Sequence, residues 1–213
     1  MKFLALPLLS LACVASLSAA DAKWDGPYAG LSLGRTSFSG TVSSDENLPG
    51  NLSTGRKVAG NFGVIFGSNT QHKNVVTGFE VDFGTARGTA SLVDSSMESS
   101  EVTVQMKTQG HLRARFGYAF GSVLPYVGLG LACARVESRI EEDGTVDKDT
   151  QIVLGTSLAL GVEYAVRPEL KVRCEMVSDR YASAPVQSYD AAADSFNVKL
   201  NATTVKLGVT YSF

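Results

Sequence analysis

Histidine and cysteine are scarce in this chain, two and three among 213 residues. Neither a CxxC nor an HExxH spacing occurs, so the common zinc frameworks are excluded. Proline is rare as well, six against 21 glycines, a balance that excludes collagen, a proline-rich linker and a disordered tail. There is no excess of positive charge: 19 Lys and Arg meet 21 Asp and Glu, a formal net charge of −2. Nucleic-acid binding needs a basic footprint, so no nucleic-acid partner is expected. Charge of either sign is thin, at 19%, below the ~25% of an ordinary soluble domain. The length suits one large domain better than two small ones.

Lys2 precedes an almost wholly apolar stretch at residues 3–17, and Ser18, Ala19 and Ala20 follow before Asp21. This pattern predicts a secretory signal peptide over residues 1–20, cleaved after Ala20 or two residues later. The run is shorter than the ~20 residues of a spanning helix. A lipoprotein site at Cys13 would leave a very short apolar core, with Ser10 in place of leucine. The chain is read as exported, with residues 21–213 as a single domain. Loss of residues 1–20 leaves 18 bases, 21 acids, and two cysteines, Cys133 and Cys174.

What the remainder has in quantity is alternation at period two. Leu31 and Leu33 alternate with Gly30, Ser32 and Gly34; Phe62, Val64 and Phe66 with Asn61, Gly63 and Gly67. Phe79, Val81 and Phe83 alternate with Gly78, Glu80, Asp82 and Gly84; Leu112, Ala114 and Phe116 with His111, Arg113, Arg115 and Gly117. Val127, Leu129, Leu131 and Cys133 share one parity, as do Ile152, Leu154, Leu158, Leu160 and Val162. Leu170, Val172, Cys174 and Met176 form a seventh series, and Val205, Leu207, Val209, Tyr211 and Phe213 an eighth. Eight strands are predicted.

Their connections alternate between short links (residues 68–74, 119–124 and 165–169) and longer polar stretches such as 39–57 and 178–195. Short turns at one end and long loops at the other mark a transmembrane β-barrel. The second face is mostly Gly, Ala and Ser, which suits the narrow lumen of an eight-stranded barrel. A soluble sheet would show charged and β-branched residues there, and a lipocalin-type barrel would turn its apolar face inward. Residues 116–134 contain no charge and would pass a hydropathy window for a spanning helix. Four glycines and Pro125 argue instead for two strands and a turn. The fold class is therefore all-β, an eight-stranded antiparallel up-and-down transmembrane β-barrel with short periplasmic turns and four longer extracellular loops.

Four stretches resemble the small outer-membrane β-barrel family of alphaproteobacteria, which shares its architecture with the OmpA membrane domain and OmpX. They are Trp24-Asp25-Gly26-Pro27-Tyr28-Ala29-Gly30, Gly78-Phe79-Glu80-Val81-Asp82-Phe83-Gly84, Leu112-Arg113-Ala114-Arg115-Phe116-Gly117-Tyr118-Ala119 and Gly161-Val162-Glu163-Tyr164. The C-terminal run Lys206-Leu207-Gly208-Val209-Thr210-Tyr211-Ser212-Phe213 resembles the outer-membrane assembly signal. Its matching positions are Lys206, Gly208, Tyr211 and Phe213, the aromatics falling where an interfacial girdle sits. The resemblance implies the outer membrane of a Gram-negative bacterium, a porin-family surface antigen, and recognition by the barrel-assembly machinery. Outer-membrane lipid and lipopolysaccharide are its implied surroundings, and host or phage ligands its implied loop partners.

Inward parity gathers Glu80, Asp82, Arg113, Arg115, Glu163, Arg173, Glu175 and Lys206, four acids and four bases. Unpaired ions in a narrow lumen are costly. A paired network is expected, either a structural plug or a gated ion path. Lys171 shares their parity but falls at a strand end, where water should reach it. His111 is placed in the lumen and His72 in a periplasmic turn. Neither makes a haem site, and nothing ties a serine to His111 as the nucleophile–base pair of a barrel enzyme would require. Residues 137–150 carry Glu137, Glu141, Glu142, Asp143, Asp147 and Asp149 without EF-hand spacing, and are read as a solvated loop. No catalytic residue, metal or cofactor is expected. The leading function is a structural surface protein supporting outer-membrane integrity, with a narrow porin or ion channel, and an adhesin or haem receptor, as alternatives. Cys133 and Cys174 are expected as free thiols: two strand spacings are about 9–10 Å, beyond the ~7 Å limit between Cα atoms of a disulfide.

Overall fold

A computed structural model of the chain describes residues 24–43, 52–53, 57–93, 101–142, 145–182, 184–186 and 196–213. The expected signal peptide lies outside the described residues. Eight long strands carry the fold: β1 (Gly26–Ser43), β3 (Lys57–His72), β4 (Val75–Val93), β5 (Glu101–Tyr118), β6 (Val123–Glu142), β7 (Thr145–Ala165), β8 (Leu170–Tyr181) and β10 (Phe196–Ser212). Two short pieces, β2 (Leu52–Ser53) and β9 (Ala184–Val186), pair with β1 and β10. Each long strand runs antiparallel to the next. β1 then pairs with β10 from Tyr28↔Ser212 to Ser43↔Asn197, closing the sheet. Closure removes the free edge and satisfies the backbone within the sheet, as a hydrocarbon solvent requires.

At one end the connections are tight. Lys73, at φ 54, and Asn74 join β3 to β4. Phe120 bridges to Val123 around Gly121 between β5 and β6. Residues 116–134 are therefore two strands and a turn, as the glycines and Pro125 suggested, and no helix among the described residues is long and apolar enough to span a membrane.

The strands outrun the alternating segments that announced them. The β6–β7 ladder continues to Glu142↔Thr145, so residues 137–150 are not a solvated loop but the upper part of a hairpin. Beyond the apolar band a backbone ladder needs no hydrophobic alternation to continue. The missed cue was Asp143-Gly144, a strong hairpin dipeptide; those two residues lie outside the described ones. β8 likewise runs to Tyr181, which takes Asp179 out of the expected loop at 178–195.

The two faces divide as the parity required. Leu33 is 64% exposed, Leu131 63% and Ile152 74%, while inward Ile65, Ala159 and Val177 are fully buried. A closed sheet that turns its large apolar side chains outward faces hydrocarbon rather than water. Leu158 sits midway along the outward run from Ile152 to Tyr164. Leu158→Arg should cost about 2–4 kcal/mol, against about 0–1 for Ile152→Arg nearer the boundary. Urea titration in lipid vesicles measures both, and equal losses would place Leu158 away from the midplane.

Cys133 and Cys174 are both free. They flank β7 on opposite sides and at different heights: Cys133 pairs with Leu154 and Cys174 with Val162. That offset is about 26 Å along the strand, far beyond disulfide reach. Two alkylatable thiols are expected on denatured, unreduced protein lacking residues 1–20, which carry Cys13; an intramolecular bridge would contradict the strand order.

Candidate functional site

Every inward charge selected by parity lies in the lumen, and all eight are 5% exposed or less. Neighbouring strands make the first set of pairs. Arg113 on β5 lies opposite Glu80 on β4, its Nη2 donating to Oε1 at 2.9 Å. Arg173 on β8 lies opposite Glu163 on β7, at 3.2 Å. Lys206 on β10 lies opposite Glu175 on β8, at 3.1 Å.

A second set crosses the lumen. Arg173 grips Glu80 with both terminal nitrogens, at 2.6 and 2.8 Å. Arg115 reaches Glu163 at 2.8 Å, Arg113 reaches Glu175 at 3.2 Å, and Lys206 reaches Asp82 at 3.1 Å. Arg113 also donates to Asp82. Forked guanidiniums suit this arrangement because each can hold carboxylates in two directions.

The count of four acids and four bases needs correcting. Asp179 is fully buried in the same lumen, making five acids. His111 lies between Asp82 and Asp179, with Nδ1 2.9 Å from one and Nε2 3.1 Å from the other. A ring between two ionised carboxylates satisfies both by donating twice, so His111 joins the bases of the network. Sequence parity extended through Val177 would have found Asp179, since residues 173, 175, 177 and 179 alternate inward.

Two tyrosines escaped notice altogether. Tyr28 donates to Glu80 at 2.8 Å, and Tyr126 to Glu175 at 2.5 Å. The Arg115 guanidinium stacks 3.9 Å from the Tyr126 ring centre, adding cation–π attraction. Each ring lies over a glycine on the adjacent strand, Tyr28 opposite Gly67 and Tyr126 opposite Gly161. A Cβ at either glycine would fall on the ring itself. The available signal was a large polar-tipped aromatic on a face otherwise made of small residues.

The periplasmic end is sealed below this network. Trp24 is 1% exposed and packs with Val76, Ala119, Leu124 and Ala165. Its Nε1 donates to the Gly121 carbonyl at 3.2 Å, and its backbone N–H donates to Gln71 Oε1 at 2.9 Å. Lys171 was expected within reach of water. It is 4% exposed instead, with Nζ 2.5 Å from Ser212 Oγ and over the Trp24 ring at 5.4 Å. The aromatic plug covers the strand end. His72 ends β3 beside the turn, exposed.

Of the assembly-signal positions, Lys206 and Gly208 face inward, while Tyr211 and Phe213 face outward with their rings 5.6 Å apart. Tyr118 and Phe120, 4.8 Å apart, belong to the same periplasmic girdle. Among the described residues, no group of three or more His, Cys, Asp or Glu is arranged to hold a metal ion.

Apolar outside, ionic inside and closed without an edge, the chain is an outer-membrane β-barrel. The family model described as outer membrane protein beta-barrel domain matches residues 4–213, and the chain belongs to that family. The 25 kDa outer-membrane immunogenic protein of Brucella abortus is 27% identical over 197 residues, covering 90% of this chain and 80% of that protein. Brucella melitensis has a counterpart of equal identity and coverage. The fold is also that of the outer membrane protein OprG from Pseudomonas aeruginosa, at TM-score 0.57 and 12% identity over 89% of this chain and 97% of that one. The outer membrane protease OmpT from Escherichia coli aligns at TM-score 0.52 and 11% identity, over 93% and 99%. The protein resides in the Gram-negative outer membrane.

Proposed function

We propose that this barrel is a structural surface protein of the outer membrane, its lumen a packed ionic plug rather than a conduit. The observation that carries this reading is the burial of the whole charge network, each member 5% exposed or less, with Arg113, Arg115, Arg173 and Lys206 each paired to carboxylates on two other strands. A water-filled ion path would leave such groups exposed to the channel. Charges paired across several strands then fix the strands' register relative to one another. The name of the Brucella relative supports a role as surface antigen, with the loops as the exposed determinants. Lipid, lipopolysaccharide and the barrel-assembly machinery are its proposed partners, together with host or phage ligands at the loops.

The same geometry supports a non-enzymatic role. Both His111 ring nitrogens are occupied by carboxylates, so the ring has no nitrogen to spare as a general base. The competing reading is a narrow channel. Recording in planar bilayers should give only small, infrequent openings; steady, ohmic single-channel currents would overturn the plug.

A further inference from the structure

The outward face of the barrel carries a groove of about 520 Å³ on the loop side of its apolar band. Gly110, on the outward parity of β5, lies buried in it: the Phe83 ring and Cys133 Sγ close over the glycine, each 3.1 Å from where a Cβ would stand. Its partners across the ladder are Phe83 on β4 and Cys133 on β6. Phe62 and Phe83 form one wall, Ile152 stands on the other side, and Gly110 and Cys133 make the floor. All of this is hydrocarbon-facing, and a trough of that size lies within the range of small-molecule sites.

One end of the groove is charged. Arg135 lines it, two residues beyond Cys133 toward the loops, exposed, and level with Thr108 and Ile152. The cation beside it, Lys107, is paired with Glu137 at 3.5 Å. An apolar slot ending in a guanidinium, at the boundary of the outer leaflet, matches an acyl chain joined to a phosphate: the slot takes the chain and the fork of Arg135 takes the phosphate oxygens. In that leaflet the phosphorylated lipid is lipopolysaccharide.

We propose that the Gly110 groove binds one acyl chain of the lipid A part of lipopolysaccharide, with Arg135 on its phosphate. This rests on the barrel standing with its loops outward, and not on the lumen being plugged.

The two free cysteines provide the test, since Cys133 lies in the groove and Cys174 on β8, away from it. The folded, detergent-solubilised protein is alkylated with N-ethylmaleimide in the presence of lipopolysaccharide, dephosphorylated lipopolysaccharide or phosphatidylglycerol. Lipopolysaccharide should slow Cys133 severalfold and leave Cys174 unchanged, and the other two lipids should protect weakly. Arg135→Gln should remove the protection and Arg135→Lys retain part of it. Thr108→Glu, which sets a carboxylate opposite Arg135, should abolish it as well, and stands in if Arg135→Gln does not fold by heat-modifiability on gels. Equal slowing at both cysteines, equal protection by either other lipid, or full protection in the folded Arg135→Gln or Thr108→Glu variant would overturn the site. Such a failure in a barrel that still shows low conductance sinks the groove and leaves the plugged-lumen reading standing.

Discussion

Arg173→Met should lower the unfolding free energy by about 3–5 kcal/mol, because removing one member of a buried ion cluster leaves its partners uncompensated. Arg173 holds Glu80 at 2.6 and 2.8 Å, Glu175 at 2.9 Å and Glu163 at 3.2 Å. Among the described residues only Arg113 likewise meets three carboxylates, all through Nη2, whereas Arg173 engages its three through both terminal nitrogens. Urea titration of the refolded barrel in vesicles measures the loss. Lys107→Met is the comparison, since the Lys107–Glu137 pair lies on the outer surface with side chains 43% and 27% exposed. An exposed pair contributes at most about 1 kcal/mol. The double variant Arg173→Met with Glu80→Gln should recover part of the loss, because the two share one interaction. Equal effects at Arg173 and Lys107 would mean that the lumen is wet and the charges solvated.

Phe213→Ala should sharply reduce the amount of barrel reaching the outer membrane and induce periplasmic stress. The Phe213 ring is 79% exposed on the outward face, edge-on to Tyr211, and its backbone N–H donates to the Pro27 carbonyl at 3.1 Å beside the β1–β10 seam. Phe120→Ala separates recognition from simple loss of an interfacial aromatic, since Phe120 is 62% exposed in the same girdle but belongs to no terminal motif. Phe120→Ala should assemble normally. Unchanged surface abundance of Phe213→Ala across an expression time course, or equal loss from both variants, would count against the C-terminal assembly signal.

The eight long strands, the direction each side chain faces and most of the lumen's membership were legible in the sequence. All three follow from a period of two, which is a local property: once Leu112 faces hydrocarbon, His111 and Arg113 must face the interior. Strand ends were not legible, because the pairing of β6 with β7 persists to Glu142↔Thr145, beyond the apolar band, where nothing requires alternation. The same blindness hid Asp179, and with it the role of His111. Partners across the lumen were beyond the reach of parity too. Glu80 and Arg173 meet over a sequence separation of 93 residues, and their height relative to each other is set by the accumulated register of several ladders and by closure of β1 on β10. Tyr28 over Gly67, Tyr126 over Gly161, and Phe83 and Cys133 over Gly110 depend on that register in the same way. The chain by itself determined which residues face inward; only the closed barrel decided which of them touch.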